Sequence, residues 1–99
     1  MDQLALLAVL DAKPGKEKDV EEFLKSARAL ALQETGTTTW YAVKLGPMKY
    51  GIFDTFPDEK SRNAHLTGEI ARQLFAKAAD LFATPPQVEK LEILAAKAA

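Results

Sequence analysis

The chain has 99 residues, 47% apolar and 27% charged, and its 13 basic and 14 acidic side chains leave a net charge of −1. That length suits one domain over residues 1–99 with a core of its own, and the composition is that of a globular chain rather than a disordered one. The balanced charge offers no basic footprint for nucleic acid or a membrane surface, and the absence of cysteine excludes disulfides, thiolate metal sites and cysteine nucleophiles.

The opening "MDQLALLAVLDA" has an acid where a signal sequence needs a basic segment, and its apolar run is short. It reads instead as a strand over Leu4–Ala12, buried on both faces. "KPGKEKDV" is a Pro-Gly turn. Beyond it Val20, Phe23, Leu24, Ala27, Leu30 and Ala31 recur at helical spacing, which predicts an amphipathic helix over Lys16–Glu34 with Gly36 as its C-terminal cap. "TTTWYAVKL" is β-branched and aromatic, "GPMK" reverses the chain, and "YGIFDTF" runs back, so the two form a hairpin. Pro57 and Asp58 stop that strand, and Asp58 caps a short helix to Leu66. Thr67-Gly68 breaks it before a longer helix, Glu69–Phe82, with Ile70, Leu74, Ala78 and Leu81 on one stripe. "ATPPQ" leads into a last strand, "VEKLEIL", and the tail 96–99 is expected to fray. No run approaches membrane-spanning length, so a soluble, cytoplasmic protein is expected.

The order β-α-β-β-α-β, with the second helix split, predicts an α+β ferredoxin-like plait: a four-stranded antiparallel sheet with the helices on one face. The first strand is apolar on both sides, Leu4, Leu6, Ala8 and Leu10 against Ala5, Leu7 and Val9. If Leu45 pairs with Tyr50, Thr39, Tyr41, Val43, Ile52, Asp54 and Phe56 share one face of the hairpin. Trp40, Ala42, Lys44, Gly51, Phe53 and Thr55 then share the other. An uncovered face so apolar is rare on a monomer, and a two-fold homodimer packed sheet to sheet is expected, with Trp40 at its interface.

One histidine and no cysteine preclude a multi-histidine metal site, the carboxylates do not cluster on a loop, and the glycines stand singly rather than in a phosphate-binding loop. No metal or cofactor is therefore expected.

The stretches "AVLDAKPGKEKDVEEFL", "FDTFPDEKSRNAHL" and "PPQVEKLEIL" resemble the first strand and helix start, the strand-to-helix passage and the Pro-rich approach to the last strand of the antibiotic biosynthesis monooxygenase family. The resemblance implies a dimeric α+β barrel with a pocket between sheet and helices. In some members it implies oxygenation of quinol-like or polycyclic aromatic substrates without a cofactor. The haem-degrading relatives carry an asparagine on the first strand, a tryptophan ending the third and a helix histidine. Ala8 and Phe56 stand at the first two places here and only His65 is kept, which speaks against haem degradation.

Cofactor-free oxygenation needs a substrate that supplies its own electrons, a group to take its proton, and exclusion of water. His65 is the natural base, because imidazole titrates near neutrality, and Asp54 is placed to orient it; a helix-surface histidine and a strand-edge acid paired with Lys44 or Arg62 are the plainer alternatives. Tyr41, Tyr50 and Phe56 are candidates to line an aromatic pocket, Trp40 another though the interface is its expected place, and Arg62 and Asn63 candidates to hold a substrate oxygen. A small cofactor-independent monooxygenase-like enzyme acting on an aromatic, quinol-type molecule is the leading expectation. A non-catalytic ligand-binding or stress-related dimer is the second, and an isomerase or decarboxylase using His65 the third.

Overall fold

In the computed structural model, which describes residues 3–97, β1 (Leu4–Asp11) occupies the interior of a four-stranded sheet. It is followed by α1 (Glu17–Ala31), β2 (Thr39–Gly46), β3 (Lys49–Phe56), α2 (Glu59–Leu66), α3 (Glu69–Leu81) and β4 (Gln87–Glu92). β1 pairs antiparallel with β3 on one side and β4 on the other, and β2 extends the sheet beyond β3, giving the order β2-β3-β1-β4. This is the expected α+β ferredoxin-like plait. A central strand must be apolar on both faces, which is why β1 shows no alternation.

The helices form where the apolar spacing placed them. α1 buries Val20, Phe23, Leu24, Ala27 and Ala31, and α3 buries Ile70, Leu74 and Leu81. Gly15 makes the turn before α1 at φ +83°, a conformation that favours glycine. Asp58 caps α2 as expected, its Oδ1 accepting from the Ser61 N–H at 2.8 Å.

α1 stops at Ala31, three residues short of expectation, because tight turns donate Gln33 N–H to Leu30 O and Glu34 N–H to Ala31 O. Gly36 is not the left-handed cap the sequence suggests, since Gly15 is the glycine with positive φ among the described residues. Its role is close approach. A Cβ there would lie 2.8 Å from Ser61 Oγ, so only glycine lets this loop press against α2.

The hairpin differs from the expected pairing by one residue. Lys44, not Leu45, faces Tyr50, Gly46 faces Lys49, and Leu45 is the extra residue of a β-bulge. Leu45 packs over Gly51 beside Val43, where a side chain at position 51 would crowd both. A one-residue slip inverts every side chain of the strand. Trp40, Ala42 and Lys44 therefore share the helix-covered face with Tyr50, Ile52, Asp54 and Phe56, while Tyr41 and Val43 join Leu7, Val9, Phe53 and Leu91 on the uncovered face. Trp40 packs against the core instead of standing at a sheet-to-sheet interface. The uncovered face is apolar nonetheless, with Tyr41 56% and Val43 39% exposed.

β4 ends at Glu92 rather than Leu94. Ala96 and Lys97 carry no regular structure, and the remainder of the expected frayed tail lies outside the described residues. Among the described residues, no helix is long and apolar enough to cross a membrane.

Candidate functional site

The Pro57-Asp58 break reverses the chain so tightly that α2 folds back over the end of β3 from which it departs. His65, in the last turn of α2, thereby meets Asp54 on β3, with Nε2 2.9 Å from Oδ2. The loop that Gly36 holds against α2 brings a third group: Glu34 Oε1 lies 2.6 Å from His65 Nδ1. Phe56 closes one side, its ring centroid 5.3 Å from that of the imidazole.

The trio is a buried one. Asp54 is 1% exposed and His65 9%, while the Glu34 side chain retains 20% and reaches toward solvent. Burial by itself would lower the histidine pKa, but the contacts with Asp54, followed by those with Glu34, outweigh it and hold the imidazole up at about 9. At neutral pH, His65 is an imidazolium between two carboxylates. Both ring nitrogens are engaged, so the resting site holds no free imidazole base. The carboxylates face one another through the ring rather than converging on a point, and among the described residues no set of three or more His, Cys, Asp or Glu gathers as metal ligands.

Two further polar groups stand out. Among the described residues, Asp54 Oδ2 meets His65, but its Oδ1 has no hydrogen-bond partner, and the buried indole Nε1 of Trp40 has no acceptor. Trp40 and Asp54 are direct cross-strand partners on the covered face. Buried polar groups left without partners are costly, and they concentrate at functional sites.

An apolar cavity of about 40 Å³ adjoins Asp54 and His65, walled by residues including Leu6, Ile52, Ile70, Leu74 and Phe75. A wider groove of about 470 Å³ lies between α1 and the sheet, with Trp40 in its wall.

The other sequence-derived candidates divide. Phe56 belongs to the site. Tyr50 is buried nearer the wider groove and donates to Glu21 Oε2 at 2.6 Å; that bond, then burial, pushes its hydroxyl up to about 12. Tyr41 is on the opposite face and cannot meet Asp54, for the reason of register given above. Arg62 does not pair with Asp54 and is not free to hold a substrate oxygen. It is buried, and its Nη1 donates to Ala5 O at 3.3 Å and Leu91 O at 3.2 Å while Nη2 donates to Glu59 at 3.0 Å. Asn63 is exposed on α2. Nor does Asp54 pair with Lys44, whose partner is Glu21 at 3.2 Å.

Sequence reasoning missed Glu34 and set Trp40 at the interface in preference to the covered face. Nothing local marks Glu34, which reaches His65 across 31 positions. Trp40 could be found only by allowing for a bulge in the "KLGPMK" reversal.

No family model matches the chain, and no curated protein matches it. Among solved structures, a protein of unknown function from Nitrosomonas europaea is 52% identical, covering 100% of this chain and 96% of that one with a TM-score of 0.97. A candidate antibiotic biosynthesis monooxygenase from the same organism is 15% identical over 95% of this chain and 93% of its own, with a TM-score of 0.79. Another from Caulobacter crescentus is 15% identical over 95% and 92%, also with a TM-score of 0.79. At that identity the likeness is one of fold, and the antibiotic-biosynthesis-monooxygenase-like fold is the one the sequence resemblance implied.

Proposed function

The chain belongs to one family with that Nitrosomonas europaea protein of unknown function, and from this premise we propose that it is a monooxygenase-like enzyme oxidising an aromatic, quinol-type small molecule without a cofactor. The observation that carries the reading is the free Oδ1 of Asp54, whose Oδ2 meets the buried imidazolium of His65, on the strand position paired with Trp40, whose indole donor has no acceptor among the described residues. A quinol hydroxyl is donor and acceptor at once and matches both. It donates to Asp54 and accepts from Trp40 Nε1.

The chemistry follows from charge. Asp54, His65 and Glu34 together carry one net negative charge at neutral pH. Taking the substrate's proton onto Asp54 neutralises the trio and leaves a quinolate, which the neighbouring imidazolium stabilises. The quinolate reduces O₂ directly: a hydroquinone and O₂ give a hydroxyquinone and water, one oxygen atom entering the ring and the substrate supplying all four electrons. His65 is thus the positioning and charge-balancing group, and the proton acceptor is the carboxylate. The cavity beside Asp54 holds about 40 Å³, enough for O₂ but far below the several hundred Å³ of ordinary ligand pockets. Entry of the ring requires outward displacement of Phe75, which lines the cavity and is 52% exposed.

That small cavity, with both imidazole nitrogens occupied, favours one second reading, a ligand-binding dimer without catalysis. In either case we propose that a second copy covers the uncovered sheet face.

Oxygen uptake with a panel of hydroquinones separates the readings. Wild type is expected to consume O₂, with Asp54→Asn reduced about a hundredfold or more, the scale of losing a positioned acid–base group. Uptake unchanged in Asp54→Asn refutes the mechanism, and no uptake with any quinol favours the binding reading.

A further inference from the structure

α3 stands off the sheet. It packs on α1 and α2, and no Cα of a strand lies within 8 Å of one of its own. The side chains of Ile70, Leu74 and Phe75 fill most of the gap, and what they leave is the small cavity beside Asp54. On the β4 side the gap is open: the two exposed side chains of the cavity's lining are Phe75 of α3 and Val88 of β4, the latter 37% exposed.

The strand ladder decides what stands at that mouth. Asp54 pairs with Leu6 and Leu6 with Lys90, so Trp40, Asp54, Leu6 and Lys90 form one row across the covered face. Neighbouring strands lie about 4.8 Å apart, which sets the Cα of Lys90 roughly 10 Å from that of Asp54, with the apolar Leu6 between them. Lys90 is exposed and has no ion-pair partner among the described residues, although Glu92 shares its face of β4.

We infer that Lys90 is a specificity-determining residue, and that the quinol it selects carries a carboxylate, which meets the Lys90 ammonium while a ring hydroxyl meets Asp54. This assignment rests on the quinol reading and adds to it the class of quinol. A ring that enters past a displaced Phe75 lies over Leu6, and its far edge then reaches the end of the row at Lys90. Charge points the same way. Asp54, His65 and Glu34 together are negative and repel an anionic substrate, so an acid-bearing quinol needs a cation at its other end. Apolar walls screen that contact less than open water does, and a neutral quinol leaves it unmade.

The experiment measures oxygen uptake with 2,5-dihydroxybenzoate and with its methyl ester, in wild type, Lys90→Gln and Lys90→Arg. The quantity read is kcat/KM for the acid over that for the ester. Comparing this ratio between proteins cancels the different reactivity of the two rings. Lys90→Gln should lower it about tenfold, through KM for the acid rather than kcat, because the contact is the same before and during reaction. Lys90→Arg should keep it. Calorimetric titration of both compounds under argon reads binding without turnover, and circular dichroism melts check that the variants are folded. A ratio equal in wild type and Lys90→Gln, or a wild type that binds the ester as tightly as the acid, overturns the role of Lys90 and leaves oxidation standing wherever oxygen is consumed. Tighter binding of the acid that is lost in Lys90→Gln, with no oxygen uptake in wild type, upholds Lys90 and removes the oxidation. Neither binding nor uptake of either compound overturns both.

Discussion

The clearest consequence of the Asp54–His65–Glu34 arrangement is a pH-dependent stability confined to one window. The imidazole moves from an ordinary 6.5 to about 9 in the folded chain. At about 1.4 kcal/mol per pH unit, that rise corresponds to roughly 3 kcal/mol of folding free energy. Because the folded pKa is the higher of the two, this contribution is complete below pH 6.5 and is lost as pH rises through about 9. Tyr50 contributes in the same sense, its share complete below pH 10 and lost as pH rises through about 12. The two windows do not overlap. The perturbation is Glu34→Gln, which keeps an acceptor for Nδ1 and removes a charge at the most exposed member of the trio. His65 should then titrate below 9 but still above 6.5, since Asp54 is the larger of the two favourable influences. The assay is NMR titration of the ring protons, unambiguous because the chain has one histidine, together with urea unfolding from pH 6 to 9.5. Wild-type His65 titrating near 6.5, or a folded Glu34→Gln protein with an unchanged value, would refute the reasoning.

Three other expectations follow from the same contacts. Asp54→Asn leaves His65 buried with one charged partner removed and should cost about 3 kcal/mol at pH 6, read from urea midpoints. Gly36→Ala forces a Cβ to within 2.8 Å of Ser61 Oγ, so it should destabilise by about 1–2 kcal/mol and, by displacing the Glu34 loop, also lower the His65 pKa in the same NMR titration. Arg62→Lys cannot span the Ala5 and Leu91 carbonyls while holding Glu59, and about 2 kcal/mol should be lost in urea unfolding. For the proposed dimer, Val9→Lys places a charge on the uncovered face and should halve the mass measured by light scattering; a wild-type monomer at micromolar concentration would dispose of the dimer.

The fold was legible in the sequence because its signals are local. The unbroken apolar run of β1, the helical spacing from Val20 to Ala31 and the Pro57-Asp58 break each depend on neighbours a few positions apart. The meeting of Asp54 with His65 was partly legible for the same reason, since eleven positions and one turn separate them. Glu34 was not, because its approach depends on a glycine 25 positions from the serine it packs against. The faces of β2 were not legible either. Their assignment rests on a single residue count across the reversal, and propensity does not distinguish a strand from the same strand displaced by one.

That residue count has a consequence for how such a chain can change. Leu45 is a spacer: with it, Trp40 lies under the helices and Tyr41 outside them. Draw it into the ladder opposite Tyr50, and the loss of the bulge would exchange the two aromatics, setting a phenol beside Asp54 and an indole on the outer surface. No substitution at either aromatic would be needed. The bulge, rather than the identity of either ring, decides which aromatic the buried carboxylate meets, and a one-residue slip of the strand is enough to rewrite the chemistry of the site.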